Sequence, residues 1–135
     1  MHFTGDGSSS ATVGHGLDGT PDFVIYPGTF RETHDTYVVH KDMSTGSYVL
    51  LNGAAAQTSS AGTDGKVSYN TFTSTTLGFT AGTSNVNNVN QSSKDIVAYC
   101  WRAISGYSAF GSYTGNGSST GPTITLDFAP DMILI

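Results

Sequence analysis

Short apolar packets, each broken by Gly, Pro, Asn, Asp or Ser, recur along the whole chain. They read FVIY (Phe23–Tyr26), TYVVH (Thr36–His40), SYVLLN (Ser47–Asn52), KVSYNTF (Lys66–Phe72) and TTLGFT (Thr75–Thr80). Then follow IVAYCWRA (Ile96–Ala103), GYSAF (Gly106–Phe110), TITLDF (Thr123–Phe128) and MILI (Met132–Ile135). Strand-length runs at such spacing predict antiparallel sheet in a sandwich or barrel. In TITLDF, Ile124, Leu126 and Phe128 alternate with polar residues, predicting one buried and one wet face. IVAYCWRA and YVLL are more continuously apolar and predict central strands covered on both sides. No apolar stripe of helical period runs beyond two turns. The stretch Ala81–Asp95 holds only two valines and reads as a long loop available for contact. The prediction is one all-β domain over residues 1–135, an antiparallel β-sandwich of jelly-roll or lectin-like type.

Composition sharpens this picture. Charged residues make up 11% of the 135, against about 25% in typical domains. Gly, Ser and Thr fill the difference and disfavour helix interiors, while seven Tyr, seven Phe and many β-branched residues suit pleated sheet. The net charge of −5, with five Lys and Arg and no basic cluster, argues against a nucleic-acid partner. No apolar run approaches the roughly 20 residues of a helical membrane span. The start, MHFTGDGSSS, has neither the basic nor the apolar part of a signal peptide. The single cysteine, Cys100, reads as a small buried hydrophobe.

One peptide is written almost twice. FTGDGSSS, from Phe3, recurs as YTGNGSST from Tyr113, at an offset of 110 positions. TPDFVIY (Thr20–Tyr26) recurs as APDMILI (Ala129–Ile135) at an offset of 109. Residues 3–26 and 113–135 are thus related terminal strand segments. Asp6-Gly7 and Asn116-Gly117 predict positive φ in tight hairpin turns, and Pro21 and Pro130 predict strand starts. A period of about 110 residues implies tandem domains rather than a solenoid, whose units are shorter. It predicts head-to-tail joining of copies through the terminal segments, carried by Phe3, Asp6, Gly7, Tyr113, Asn116, Gly117, Ile133, Leu134 and Ile135.

Chemistry-bearing residues are sparse. His2, His15, His34 and His40 have no zinc-motif spacing, and each reads as a strand-end histidine with an ordinary hydrogen bond. A Ser–His–Asp set lacks any nucleophile-elbow context. The sole Glu32 lies in a charged turn, FRETHD, so paired carboxylates are not expected. Asp6, Asp18 and Asp22 sit in Gly-rich loops but without the dense spacing of a calcium loop. The expectation is no enzyme, no metal and no cofactor. Tyr99 and Trp101 share a strand face, and core packing is their first reading. The second is a sugar-stacking platform with polar contacts from Asn87, Asn88 and Asn90.

The run VAYCWRAISGYSAFGSYTGNGSSTGPTITLDFAPDMILI resembles a repeat domain of structural proteins of tailed bacteriophages, cyanophages among them. The opening FTGDGSSSATVGHGLDGTPDFVIY, with HKDMSTGSYVLLN, is similar to the start of that repeat. The likeness is strongest over Val97–Gly117 and weakest over Ala54–Asp95. It implies a β-sandwich virion component, of a tail fibre or other surface appendage, and carries no catalytic residues. The expected partners are copies of the chain or other virion proteins, with location on the virion surface or outside cells. The alternatives are a module binding host surface glycans and a subunit of an extracellular filament.

Overall fold

A computed structural model describes residues 1–8, 10–27, 35–44, 46–54, 58–59, 71–79 and 89–135. The fold is all-β and antiparallel. Among the described residues nine short strands run in chain order as β1 (His2–Thr4), β2 (Thr12–Gly14), β3 (Phe23–Tyr26), β4 (Tyr37–His40) and β5 (Ser47–Leu50). They continue as β6 (Thr58–Ser59), β7 (Thr76–Gly78), β8 (Asp95–Val97) and β9 (Tyr99–Trp101). One five-stranded sheet has the order β6-β5-β4-β3-β9, and two ribbons pair β1 with β8 and β2 with β7.

Register explains the two faces of the large sheet. Val24 lies opposite both Val39 and Cys100, and Tyr26 lies opposite Tyr37. Because side chains alternate, these residues share the inner face, which Tyr48 and Leu50 of β5 extend. Against it pack Leu77 and Phe79 from the β7 region, Phe72 and Val89, with Phe3 and Val13 of the two ribbons at the margin. The core is therefore closed between the large sheet and the ribbons, a sandwich-like arrangement. Residues 95–101 form nearly one strand around buried Ala98, so β1 and β3 flank the same line of backbone.

Four expectations need correction. The run IVAYCWRA is not a doubly covered central strand. Its second half, β9, ends the strand order of the large sheet, with Tyr99 and Trp101 on the outer face at 49% and 41% exposure. Thr123–Phe128 and Met132–Ile135 form no strand, and neither face of TITLDF is buried, Ile124 being 58% exposed. Gly106–Phe110 forms no strand, its first residues belonging to a turn closed by an Ile104–Ser108 bridge. Asp6-Gly7 is no hairpin, since β1 and β2 pair with different strands. The greater part of the expected strand at Lys66–Phe72 lies outside the described residues, as do Glu32, His34, Asn87 and Asn88.

The core contains a flaw. The Tyr26 hydroxyl is fully buried, and among the described residues it has no hydrogen-bond partner. Burial first, and then the neighbouring Cys100, push its pKa well above the usual phenol range. An unpaired buried hydroxyl costs about 1–3 kcal/mol. Tyr26→Phe keeps the ring contact with Phe79 and removes that cost. Thermal unfolding of this variant is expected to rise by a few degrees, equivalent to about 1 kcal/mol; an unchanged or lower midpoint would mean that the hydroxyl is satisfied.

Candidate functional site

Where the chain leaves β1, it is held by a polar clasp built on Asn90. This side chain is 1% exposed and uses both its donor and its acceptor groups. Its Nδ2 donates to Asp6 Oδ1 at 2.8 Å and to the Ser8 carbonyl at 2.9 Å. Its Oδ1 accepts the Asp6 N–H at 3.2 Å, and its backbone carbonyl accepts the Gly7 N–H at 2.9 Å. One turn upstream, Gly5 donates to the Lys94 carbonyl and accepts from the Ser93 N–H, both at 2.8 Å. The clasp loop stores backbone strain, because Ser93 holds φ at 61°, a left-handed value rare outside glycine.

The turn that fits this clasp is written locally. Asp6 Oδ1 accepts the Ser8 N–H at 2.8 Å, and Gly7 takes the positive φ of 74° that such an Asx turn needs. Ser8 N–H first, and then the Asn90 amide, hold the Asp6 carboxyl below the usual aspartate range. A folded-state pKa below the unfolded one stabilises the fold above the ordinary aspartate value. That contribution is lost as pH falls through about 4 toward the depressed value. Asp6→Asn keeps an Oδ1 acceptor and removes the titration. In melting curves followed from pH 5 down to about 2, this variant is expected to lose less stability than the parent chain. Parallel acid limbs would assign the sensitivity to other carboxylates.

The second part of the site is the tail. From Gly111 onward almost every residue is exposed and none lies in a strand. Ile133, Leu134 and Ile135 are exposed at 69%, 66% and 94%. The tail touches the body lightly, with Asp127 Oδ2 accepting from Ser105 Oγ at 3.3 Å and the Gly106 N–H at 3.2 Å. Its turn repeats the first one in detail. Ser118 N–H donates to Asn116 Oδ1 at 3.0 Å, and Gly117 has a φ of 67°.

The third part is an aromatic ledge on the outer sheet face. Tyr99 stacks near Trp101 at 6.1 Å, Trp101 lies 5.5 Å from Phe23, and Phe110 stacks on Phe23 at 5.8 Å. Beside it lies an open, largely apolar depression of about 270 Å³ between Leu17, Trp101, Ile104 and Tyr107. It is smaller than usual ligand pockets of roughly 300–1,000 Å³.

The structure thus brings Asp6 and Gly7 together on the clasp, sets Phe3 against the core in β1, and leaves Tyr113, Asn116, Gly117 and Ile133–Ile135 exposed on the tail. Tyr99 and Trp101 are available for contact, but Asn90 is not a glycan ligand, being buried and spent on Asp6 and Ser8. The histidines in view make ordinary bonds. His15 Nδ1 accepts the Leu17 N–H and its Nε2 donates to the Thr73 carbonyl, while His40 Nδ1 accepts the Asp42 N–H. Among the described residues no three His, Cys, Asp or Glu side chains converge as metal ligands. Asp6 takes part in the clasp instead, and Asp22 Oδ2 accepts the Ala103 N–H at 2.6 Å beside β9.

These features define an all-β module with one built polar clasp and one uncovered strand-like tail. Residues 1–135 match, end to end, the family described as a domain of unknown function, DUF7483, and the chain belongs to that family. No curated protein and no solved structure matches it.

Proposed function

We propose that this domain is a non-enzymatic structural module whose copies join end to end through the tail, as part of a tail fibre or surface appendage of a tailed-phage virion. One observation carries the joining role: residues 113–135 are almost wholly exposed, end in the apolar run Met132–Ile135, and are alike in sequence and turn geometry to residues 3–26. A segment that reads as strand but finds no strand partner among the described residues is suited to pairing with another chain. The virion setting rests on the likeness of Val97–Gly117 to phage structural repeats. The test is the solution mass of the full chain beside one ending at Ser112, over a wide concentration range.

A second reading has one observation in its favour. Tyr99, Trp101, Phe23 and Phe110 present a half-exposed aromatic ledge of the kind on which sugar rings stack. A full chain that stays monomeric, and whose Trp101 fluorescence responds to added oligosaccharide, would favour glycan binding over joining.

A further inference from the structure

We propose that residues 113–135 of one copy take the place of residues 3–26 in a second copy, with Asn116 seated on that copy's Asn90 clasp. This rests on the reading of the tail as the joining element and names its seat. The equivalence extends beyond composition. Ser10 N–H bonds Ser8 Oγ at 3.3 Å, and Thr120 N–H bonds Ser118 Oγ at the same distance. Leu126-Asp127 also matches Leu17-Asp18, at the offset of 109 that relates Pro130-Asp131 to Pro21-Asp22. In the tail this geometry is formed before any partner is bound, so little further ordering is needed on docking.

Glycine positions make the sharpest argument. A Cβ on Gly5 would run into the backbone carbonyl of Gln91, so the seat admits only glycine there. Gly115, its counterpart, has nothing within 4 Å of such a Cβ and no positive φ. Nothing around Gly115 in its own chain requires glycine; a seat like that of Gly5 does. Downstream, Ile133 and Ile135 correspond to Val24 and Tyr26, which β3 buries completely. Ile135 would occupy the Tyr26 site without an unpaired hydroxyl. The match breaks at Phe128, which corresponds to Gly19, where a Cβ meets the flexible end of Arg102 and the backbone holds a φ of 128° that a phenylalanine rarely adopts, so the tail must turn differently there. There Arg102 must swing aside, and the one-residue shortening between Ser118 and Leu126 gives the tail its own path.

The tethered segment competes for the same seat. Covalent attachment gives the resident an effective concentration of about millimolar, so exchange emerges as chain concentration nears that level, or on refolding. Weakening the resident by Gly5→Ala shifts the balance toward the neighbour's tail. A thiol trap reports the register. Cys100 is the only cysteine and faces Val24 across the β3–β9 pair. Antiparallel partners lie about 4.5–5.5 Å apart at Cα, inside the range that a disulfide spans.

The experiment uses the full chain carrying Ile133→Cys, refolded from denaturant at high concentration and oxidised at mildly alkaline pH. Non-reducing gels and peptide mass mapping are expected to show chains linked from position 133 of one to Cys100 of the next. Leu134→Cys, directed to the opposite sheet face, is expected to give roughly tenfold less. Adding Gly115→Ala to Ile133→Cys is expected to suppress the link by a similar factor without affecting folding, whereas adding Gly5→Ala is expected to raise it. Equal linkage from 133 and 134, indifference to Gly115→Ala, or a disulfide confined to single chains would overturn the seat. If the chain associates and no such link forms, only the seat is wrong. If it never associates, the joining role fails as well.

Discussion

Asn90→Ala is expected to lower the free energy of unfolding by about 2–4 kcal/mol. The substitution removes two donated bonds and one accepted bond from a side chain that is 1% exposed. It strands the Ser8 carbonyl and the Asp6 N–H, groups that lie 82 and 84 residues from it in sequence. Neutral hydrogen bonds contribute about 0.5–1.5 kcal/mol each and bonds to a charged group about 1.5–3. Solvent access at the exposed Asp6 side keeps the total below the sum of the upper values. Against a total stability of roughly 5–15 kcal/mol the loss is large. It is expected as a lower urea midpoint with an unchanged slope, since the surface exposed on unfolding stays the same. Asn90→Asp makes a useful companion, because it sets a second carboxylate against Asp6. Its defect is expected to ease as pH drops and the pair becomes protonated. A cost of only a few tenths of a kcal/mol for Asn90→Ala would mean that the clasp merely accompanies the fold.

Asn90 also marks where reading the chain falls short. FVIY, YVVH and SYVL announce β3, β4 and β5 because each is a β-branched and aromatic run between breakers, and period-2 patterning is local. β1 and β2 escape that reading, since each is only three residues long with one half-buried side chain. Asn90 sits in an Asn- and Ser-rich loop whose composition signals exposure. Its burial follows from a match to the Asp6 turn across 84 residues, and no local pattern records such a match. Tyr99 and Trp101 are legible as face-sharing partners. Which face they share depends on pairing with β3, and only the register shows that it is the outer one. The tail misleads for a more informative reason. Thr123–Phe128 reads as a strand from its apolar alternation and Met132–Ile135 because it copies β3, yet a strand exists only where a neighbour supplies the ladder. Met132–Ile135 carries the sequence of a paired strand and, among the described residues, makes no such pairing.

Removing the tail is expected to abolish self-association and leave the fold intact. Cutting after Ser112 keeps Phe110 on Phe23; among the described residues the hydrogen bonds lost between tail and body are those of Asp127 with Ser105 and Gly106, together with the partial burial of Phe128. Such exposed interactions are worth at most about 0.5 kcal/mol, so the urea midpoint of the truncated chain is expected to stay near that of the full one. Association then depends on what the tail alone provides: the Asn116 turn, the uncollided Gly115, and Ile133 and Ile135, each gaining about 1.5–3 kcal/mol when buried. Sedimentation equilibrium of the full chain beside the truncated one, up to roughly millimolar concentration, tests this most directly. The full chain is expected to climb through multiples of its 14.1 kDa mass while the chain ending at Ser112 holds to a single copy. Identical masses for the two at every concentration would contradict the joining role of the tail.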